Sequence, residues 1–440
     1  MKRDEKIEKR LLIKFSVYKN IIVNFHINNM NLTTVSNYSK SNPTTSIKSK
    51  LESKSNILQF LPQCLDSLSV DKNFIYKDQK LKTAYIIDIT HNLILKYYFK
   101  KENKFHLLAT ILKEKYGYLY NYYIDYLVER NILLLLSNHL KGKSSRVYAI
   151  SESVLRGKIT RYNNFDKVLL KKYKSKLSQI EENDIESSLI NKDVKIKLVN
   201  DLFGVEIEFY RSVFYLDGLK NEDTDIYNRN KYSVECINDK HIFYHFDNYG
   251  RMHTNFTILK SFIRKNCLLI DGEETCEMDI KNSQPLFLSK LIQDSNTKWV
   301  NKNEFELFKD LTLNGNFYQY IMDNIKTKNR NMVKELTYKV LFGRNGTTSK
   351  ADKIFCKLFP TIHNFIKLYK KDFGDYKILA YDLQKAESNL IFNKIIKQIM
   401  DLYPDVKVVT VHDSIIVPLK NKEEIWAIFQ TKIYEEFGLI

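Results

Sequence analysis

Two aspartates stand where strand-forming runs come to an end. Residues 406–418 read V-K-V-V-T-V-H-D-S-I-I-V-P, so β-branched runs flank His412-Asp413-Ser414 in the pattern of a hairpin with a polar tip. Cys276-Glu277-Met278-Asp279-Ile280 reads as a second strand ending in an acid, followed by Asn282-Ser283-Gln284-Pro285 and an apolar, helical run over 286–292. A carboxylate where apolar strands end is costly to bury alone, so it should face a cleft or bind a cation. If the fold sets them on adjacent strands, Asp279 and Asp413 form a platform for two Mg²⁺ ions. Taken singly, each acid also fits an ordinary strand end or helix cap. His412-Asp413-Ser414 is not a hydrolase triad, because neighbouring side chains of a strand point to opposite faces.

A third element complements the acids. Residues 330–343 read as one helix, R-N-M-V-K-E-L-T-Y-K-V-L-F-G. Arg330, Lys334, Tyr338 and Phe342 recur every four residues and line one face in a slow spiral. Two cations followed by two rings suit a nucleoside triphosphate, with charge for its phosphates and aromatic surface for its base. An amphipathic helix with snorkelling cations would show the same spacing.

The pattern Arg-x3-Lys-x3-Tyr-x3-Phe-Gly resembles the nucleotide-binding finger helix of family A DNA polymerases and of their relatives, the single-subunit phage-type RNA polymerases. Four further segments resemble motifs of that family, in its order: Gly250-Arg251-Met252-His253-Thr254, Met278-Asp279-Ile280-Lys281-Asn282-Ser283-Gln284, the Gln-bearing stretch Leu383-Gln384-Lys385-Ala386-Glu387-Ser388-Asn389-Leu390-Ile391, and Val411-His412-Asp413-Ser414. The resemblance implies an α+β right-hand polymerase, with an antiparallel palm sheet and helical fingers over residues 236–440, making DNA on a primer-template from nucleoside triphosphates. It implies that Asp279 and Asp413 hold two Mg²⁺ ions, and that Arg330 and Lys334 clamp the triphosphate as charge develops on the leaving pyrophosphate. Tyr338 would stack on the incoming nucleotide, and Phe342 with Gly343 would lie near the templating base. Arg251, Gln384 and His412 would hold the primer terminus. Gln284 stands where the family's DNA enzymes set a bulky Glu against the sugar, which implies a preference for deoxynucleotides.

Departures from the pattern are visible too. Ser414 is the choice of the RNA polymerases, Phe342 stands where both branches carry Tyr, and the stretch from Lys334 to Asp413 is short. Asp88-Ile89-Thr90 lacks the second acid of an exonuclease motif, so no proofreading is expected. Replication of a mobile element, or phage- or defence-related DNA synthesis, fits such an enzyme. Two other readings stay open: an RNA polymerase of the single-subunit type, and a non-enzymatic winged-helix DNA-binding initiator or regulator with a degenerate palm.

The elements upstream must bring such a core to its template. Residues 105–115 and 118–130 read as amphipathic helices, and 132–136 and 146–150 as strands joined by a turn at Lys141-Gly142-Lys143. Helix, helix, then a hairpin with a basic tip resembles a winged helix-turn-helix, placed over 57–159. That resemblance implies DNA contacts by Asn121, Lys141, Lys143 and Arg146. Residues 1–56 are expected to be a tail, since Asn, Ser, Thr and Lys dominate from 28 onward. Residues 160–235 are expected to be a helical connector that could serve as a thumb, with Glu206 and Glu208 on an exposed side.

Composition agrees with a polyanionic partner. Lys and Arg number 70 against 52 Asp and Glu, a formal net charge of +18, which most simply suits nucleic acid. Twelve glycines and six prolines in 440 residues argue against Gly-rich nucleotide-cradling loops. Gly142-Lys143-Ser144 imitates the end of a phosphate loop, but Ser137 stands where its first glycine is required. The five cysteines show no zinc-ligand spacing and are expected as reduced, mostly buried thiols. No apolar run approaches a membrane span, so a cytoplasmic protein is expected.

Overall fold

A computed structural model of the chain describes residues 55–69, 72–138, 146–175, 189–220, 222–295, 297–345 and 349–438. Lys141 and Lys143, and the expected tail as far as residue 54, lie outside them. The fold is α+β, and every strand pair among the described residues is antiparallel. Two buried cores organise it, one running from Ile57 to Leu169 and the other from Ile190 to Phe437.

In the first core, β1 (Ile57–Pro62) pairs along its length with β7 (Ile159–Asn164), which closes the unit on itself. Between them run the hairpin β2 (Asn73–Tyr76) and β3 (Gln79–Lys82), then α1 (Thr83–Lys100), β4 (Phe105–His106), α2 (Ala109–Tyr116), α3 (Tyr120–Glu129), β5 (Leu133–Ser137) and β6 (Val147–Ile150). The last three strands form one sheet in the order β4-β6-β5. Phe105 and His106, expected at the start of a helix, are instead a strand, because Phe105 pairs with Tyr148 and is buried beneath the hairpin. Tertiary pairing here overrides a helical periodicity that ran one turn too far. Asp88 sits inside this core and takes Gln59 Nε2 at 2.7 Å, the Tyr116 hydroxyl at 2.6 Å and Lys115 Nζ at 2.6 Å. It is a structural acid, and His91 beside it, stripped of solvent, is pushed down to about 4.

The second core is built on a five-stranded sheet of order β13-β14-β12-β11-β8. Helix α4 (Lys192–Asp201) leads into β8 (Val205–Ile207), followed by α5 (Phe209–Lys220) and α6 (Thr224–Asn238). Within the expected connector 160–235, β7 closes the first core and β8 is an edge of the second core's sheet. Short strands of this kind carry little sequence signal, since distant partners specify them. Glu206 is exposed between buried Val205 and Ile207, as its alternation implied. Next come the hairpin β9 (Tyr244–Phe246) and β10 (Met252–Thr254), α7 (Ser261–Cys267), β11 (Leu268–Ile270), β12 (Glu273–Asp279) and α8 (Ser283–Asp294). A helical layer follows, including α9 (Phe317–Asn324), α10 (Arg330–Phe342) and α11 (Ile378–Ser388). The chain then returns to the sheet as β13 (Val409–Val411) and β14 (Ser414–Pro418), and ends in α12 (Lys422–Phe437).

The two units are bonded to one another through α6. Tyr232 packs on Phe60 with ring centres 4.1 Å apart, Asn228 donates to the Tyr98 hydroxyl at 2.9 Å, and the Tyr97 hydroxyl donates to Asp225 at 2.9 Å. Among the described residues no helix is long and apolar enough to cross a membrane. The cysteines are free, but only Cys236 and Cys267 are buried, whereas Cys64 and Cys356 are exposed.

Candidate active site

The sheet brings the two aspartates together. Asp279 is the last residue of β12 and pairs in register with Ser414, the first of β14. Asp413 precedes Ser414 in a two-residue turn, and its carbonyl accepts from Ile280 N at 3.4 Å. The turn holds His412 at φ +57°, a region disfavoured for a residue with a Cβ, so the surrounding structure must hold the tip in place. Asp201 supplies part of that support: it is buried at the end of α4 and accepts from Val408 N at 2.9 Å, anchoring the chain as it enters β13. Ser414 needs no functional explanation, since its hydroxyl donates to Glu277 at 2.9 Å across the strands.

Each carboxyl feels its neighbours. Burial, reinforced by the like charges of Glu387 and Asp279, pushes Asp413 up to about 7. Asp279 is exposed, yet the surrounding protein and Glu277 raise it, while Lys334 and Lys265 hold part of that rise down. Crowded carboxylates that resist ionising are what a bound cation would relieve. Among the described residues no group of three or more His, Cys, Asp or Glu is arranged to hold a metal. A pair of oxygen ligands nevertheless suits Mg²⁺, which commonly takes one or two carboxylates and completes its shell with water and substrate phosphates.

Helix α10 comes near enough to the acids for the charge of Lys334 to act on Asp279. Asn329 caps it by accepting from Met332 N at 3.1 Å, and Val333, Leu336, Val340 and Leu341 bury its inner face. Arg330 and Lys334 are exposed on the outer face, and the charge of Lys334 reaches Asp279. The Arg330 guanidinium lies 5.0 Å from the ring centre of Tyr318, on α9. Tyr318 is buried, hydrogen-bonds with Tyr338, and has its hydroxyl pushed up chiefly by burial, with Asp413 contributing. Tyr338 and Phe342 pack with ring centres 5.3 Å apart. Of the four face residues, Lys334 acts on Asp279 through its charge, and Tyr318, which carried no sequence signal, links Arg330 to Tyr338 and feels the charge of Asp413.

The C-terminus of α10 is secured by a buried lysine. Lys370 Nζ donates to the carbonyls of Val340 at 2.7 Å and Gly343 at 2.9 Å, and burial lowers it to about 8. Gly343 is required here, because a Cβ would collide with the Lys339 carbonyl. Lys370→Met should leave both carbonyls without a partner and destabilise the fold by about 3 kcal/mol, read from the urea midpoint.

The residues expected at the primer side cluster around one acid. Glu387, on α11, is 1% exposed and accepts from Arg251 Nη2 at 2.6 Å and Nε at 3.2 Å. Its other oxygen takes the Ser283 hydroxyl and Gln284 Nε2 at 2.5 Å. Arg251 follows Gly250 at φ +82°, where an added Cβ would come within 2.7 Å of Leu189 and 3.0 Å of Ser388. Gln284, expected to crowd a sugar, is itself buried and committed to Glu387, with its Oε1 unpartnered. Gln384 is half-buried one turn before Glu387. His412 is exposed at the tip of the turn, where the surrounding protein and the nearby charges of Arg251 and His253 lower its pKa, and its ring centre lies 6.2 Å from that of His253. A parallel stack of Tyr249 on Tyr381, ring centres 4.3 Å apart, borders this cluster.

In the first unit, Asn121 is exposed on α3, and Arg146 is exposed beside Asp125 and Tyr120 of the same helix. No known protein-family model matches the chain, and no curated protein matches it significantly.

Proposed function

We propose that the chain is a template-directed nucleotidyl transferase, a DNA polymerase resembling family A, with a winged-helix DNA-binding unit and no proofreading. The observation that carries this reading is that Asp279 and Asp413 meet at the end of one strand pair, with the charge of Lys334 on α10 acting on Asp279 and Tyr318, under Arg330 and bonded to Tyr338, feeling Asp413. Asp279 and Asp413 would hold two Mg²⁺ ions, which when bound lower the pKa of a primer 3′-hydroxyl and neutralise the triphosphate. Arg330 and Lys334 bind the phosphates, and Lys334 meets charge as it develops toward pyrophosphate. Tyr338 and Phe342 offer ring surface to the incoming base, with Gly343 leaving room beside it. Arg251, Gln384 and the imidazole of His412 hold the primer end. Ser414 carries no weight toward the RNA polymerase alternative, because its bond to Glu277 accounts for it. The test is extension of a labelled primer on templates of different sequence: addition of the complementary deoxynucleotide supports the reading, and no addition on any template contradicts it.

The order α1, β4, α2, α3, β5, β6 supports the winged-helix reading, with α3 presented to a groove and the hairpin to phosphates. Because α6 bonds the units together, this module would hold template at a set orientation beside the sheet as well as raising its local concentration. Neutralising Lys141, Lys143 and Arg146 together should flatten the dependence of log K on log salt by about three units. Products should shorten while single-nucleotide addition at saturating template stays nearly intact. An unchanged slope in a filter-binding series would assign the hairpin to protein packing instead.

A further inference from the structure

Glu387 belongs to α11, yet its bonds tie together two other elements that serve different ends of the proposed reaction. One oxygen faces Arg251, in the turn before β10; the other faces Ser283 and Gln284, at the start of α8 just after Asp279. A buried carboxylate is tolerated because it is fully bonded, so the acid fixes its partners as much as they fix it. An arginine paired through two nitrogens has a set plane and reach. A carboxylate accepts only, so Gln284 must turn its NH₂ toward Glu387 and cannot flip its amide without setting carbonyl oxygen against carboxylate.

We propose that Glu387 is a positioning residue that holds Arg251 on the primer side and Gln284 on the sugar side in one rigid frame. The inference rests on the polymerase reading and deepens it: a bulky side chain excludes a 2′-hydroxyl only if it cannot swing aside, and Glu387 prevents the swing. Placement of the primer end and choice of sugar are therefore coupled through one acid that touches neither substrate.

The experiment is a pair of mutant cycles in primer extension, each preparation normalised by active-site titration. Glu387→Gln should raise the KM for primer-template and lower the deoxy-to-ribonucleotide incorporation ratio, each by about tenfold. In an Arg251→Ala background the same change should have no further effect on primer KM, and in Gln284→Ala none on the sugar ratio. Glu387→Asp, which keeps the charge, serves if the Gln variant does not fold, and should retain part of the sugar ratio. A merely structural role would lower the urea midpoint and the active fraction while leaving KM and sugar ratio per active molecule unchanged, and that result overturns the inference. So do effects that simply add in both cycles. Wild-type protein that extends no primer removes the polymerase reading and this inference with it, whereas active wild type with an unaltered ratio in the variant removes the inference alone.

Discussion

Asp413→Asn is expected to abolish nucleotide addition and, at the same time, to make the fold more stable at pH 8. The loss follows from the removal of one of two carboxylates proposed to hold metal, and should be about a thousandfold or more in kcat. The gain follows from burial and like charge, which raise Asp413 to about 7 from an ordinary aspartate value of about 4. Between those values the folded state binds more protons than the unfolded chain, so the contribution of this group to stability falls as pH rises through the window. Above about pH 7 the wild type carries the full penalty, and the neutral amide does not. Allowing for the solvent that a half-buried side chain still meets, the gain at pH 8 is about 2 kcal/mol and vanishes near pH 4, as urea unfolding at the two pH values would read. Magnesium should raise the urea midpoint of the wild type at pH 8 and leave that of the variant unmoved. A variant that loses activity and stability together would mean that Asp413 is a structural residue of the turn.

Lys334→Ala should lower kcat/KM for the incoming nucleotide by about two to three orders of magnitude, and Arg330→Ala by about two. Both are exposed, but their settings differ. Lys334 also holds Asp279 down, so its removal should raise that carboxyl further and move the acidic limb of the pH profile upward. Arg330 lies over the buried ring of Tyr318, a planar contact that lysine does not reproduce, so Arg330→Lys should recover little. Pre-steady-state incorporation at varied nucleotide concentration separates these effects. A change in primer binding with nucleotide affinity untouched would place α10 on the template side of the cleft instead.

The ends of strands were legible because a carboxylate after a β-branched run is chemically conspicuous. Asp279 and Asp413 lie at the places their runs implied, and the helix 330–343 begins at Arg330, with Gly343 just past its last turn. Partners distant in the chain were not legible. Glu387 sat within a stretch already noticed, but its bonds to Arg251 and Gln284 span more than a hundred residues, and no local spacing encodes them. Tyr318 is one aromatic among many until the fold puts Arg330 over it. The strand β4 escaped for the same reason: two residues carry no period, and pairing alone makes them a strand. The bulk of Gln284 is legible in the sequence, whereas its burial and the bond that commits its amide to Glu387 are not.

The most direct test is a single-nucleotide incorporation assay with Mg²⁺ on a labelled primer, using templates that differ only at the first unpaired base, with wild type, Asp279→Asn and Asp413→Asn side by side. The expected result is that wild type adds the deoxynucleotide complementary to each template, while both variants bind the primer-template normally and add nothing. Equal incorporation by all three proteins, or none by the wild type with binding intact, would contradict the assignment of the two aspartates and leave a DNA-binding protein without this chemistry.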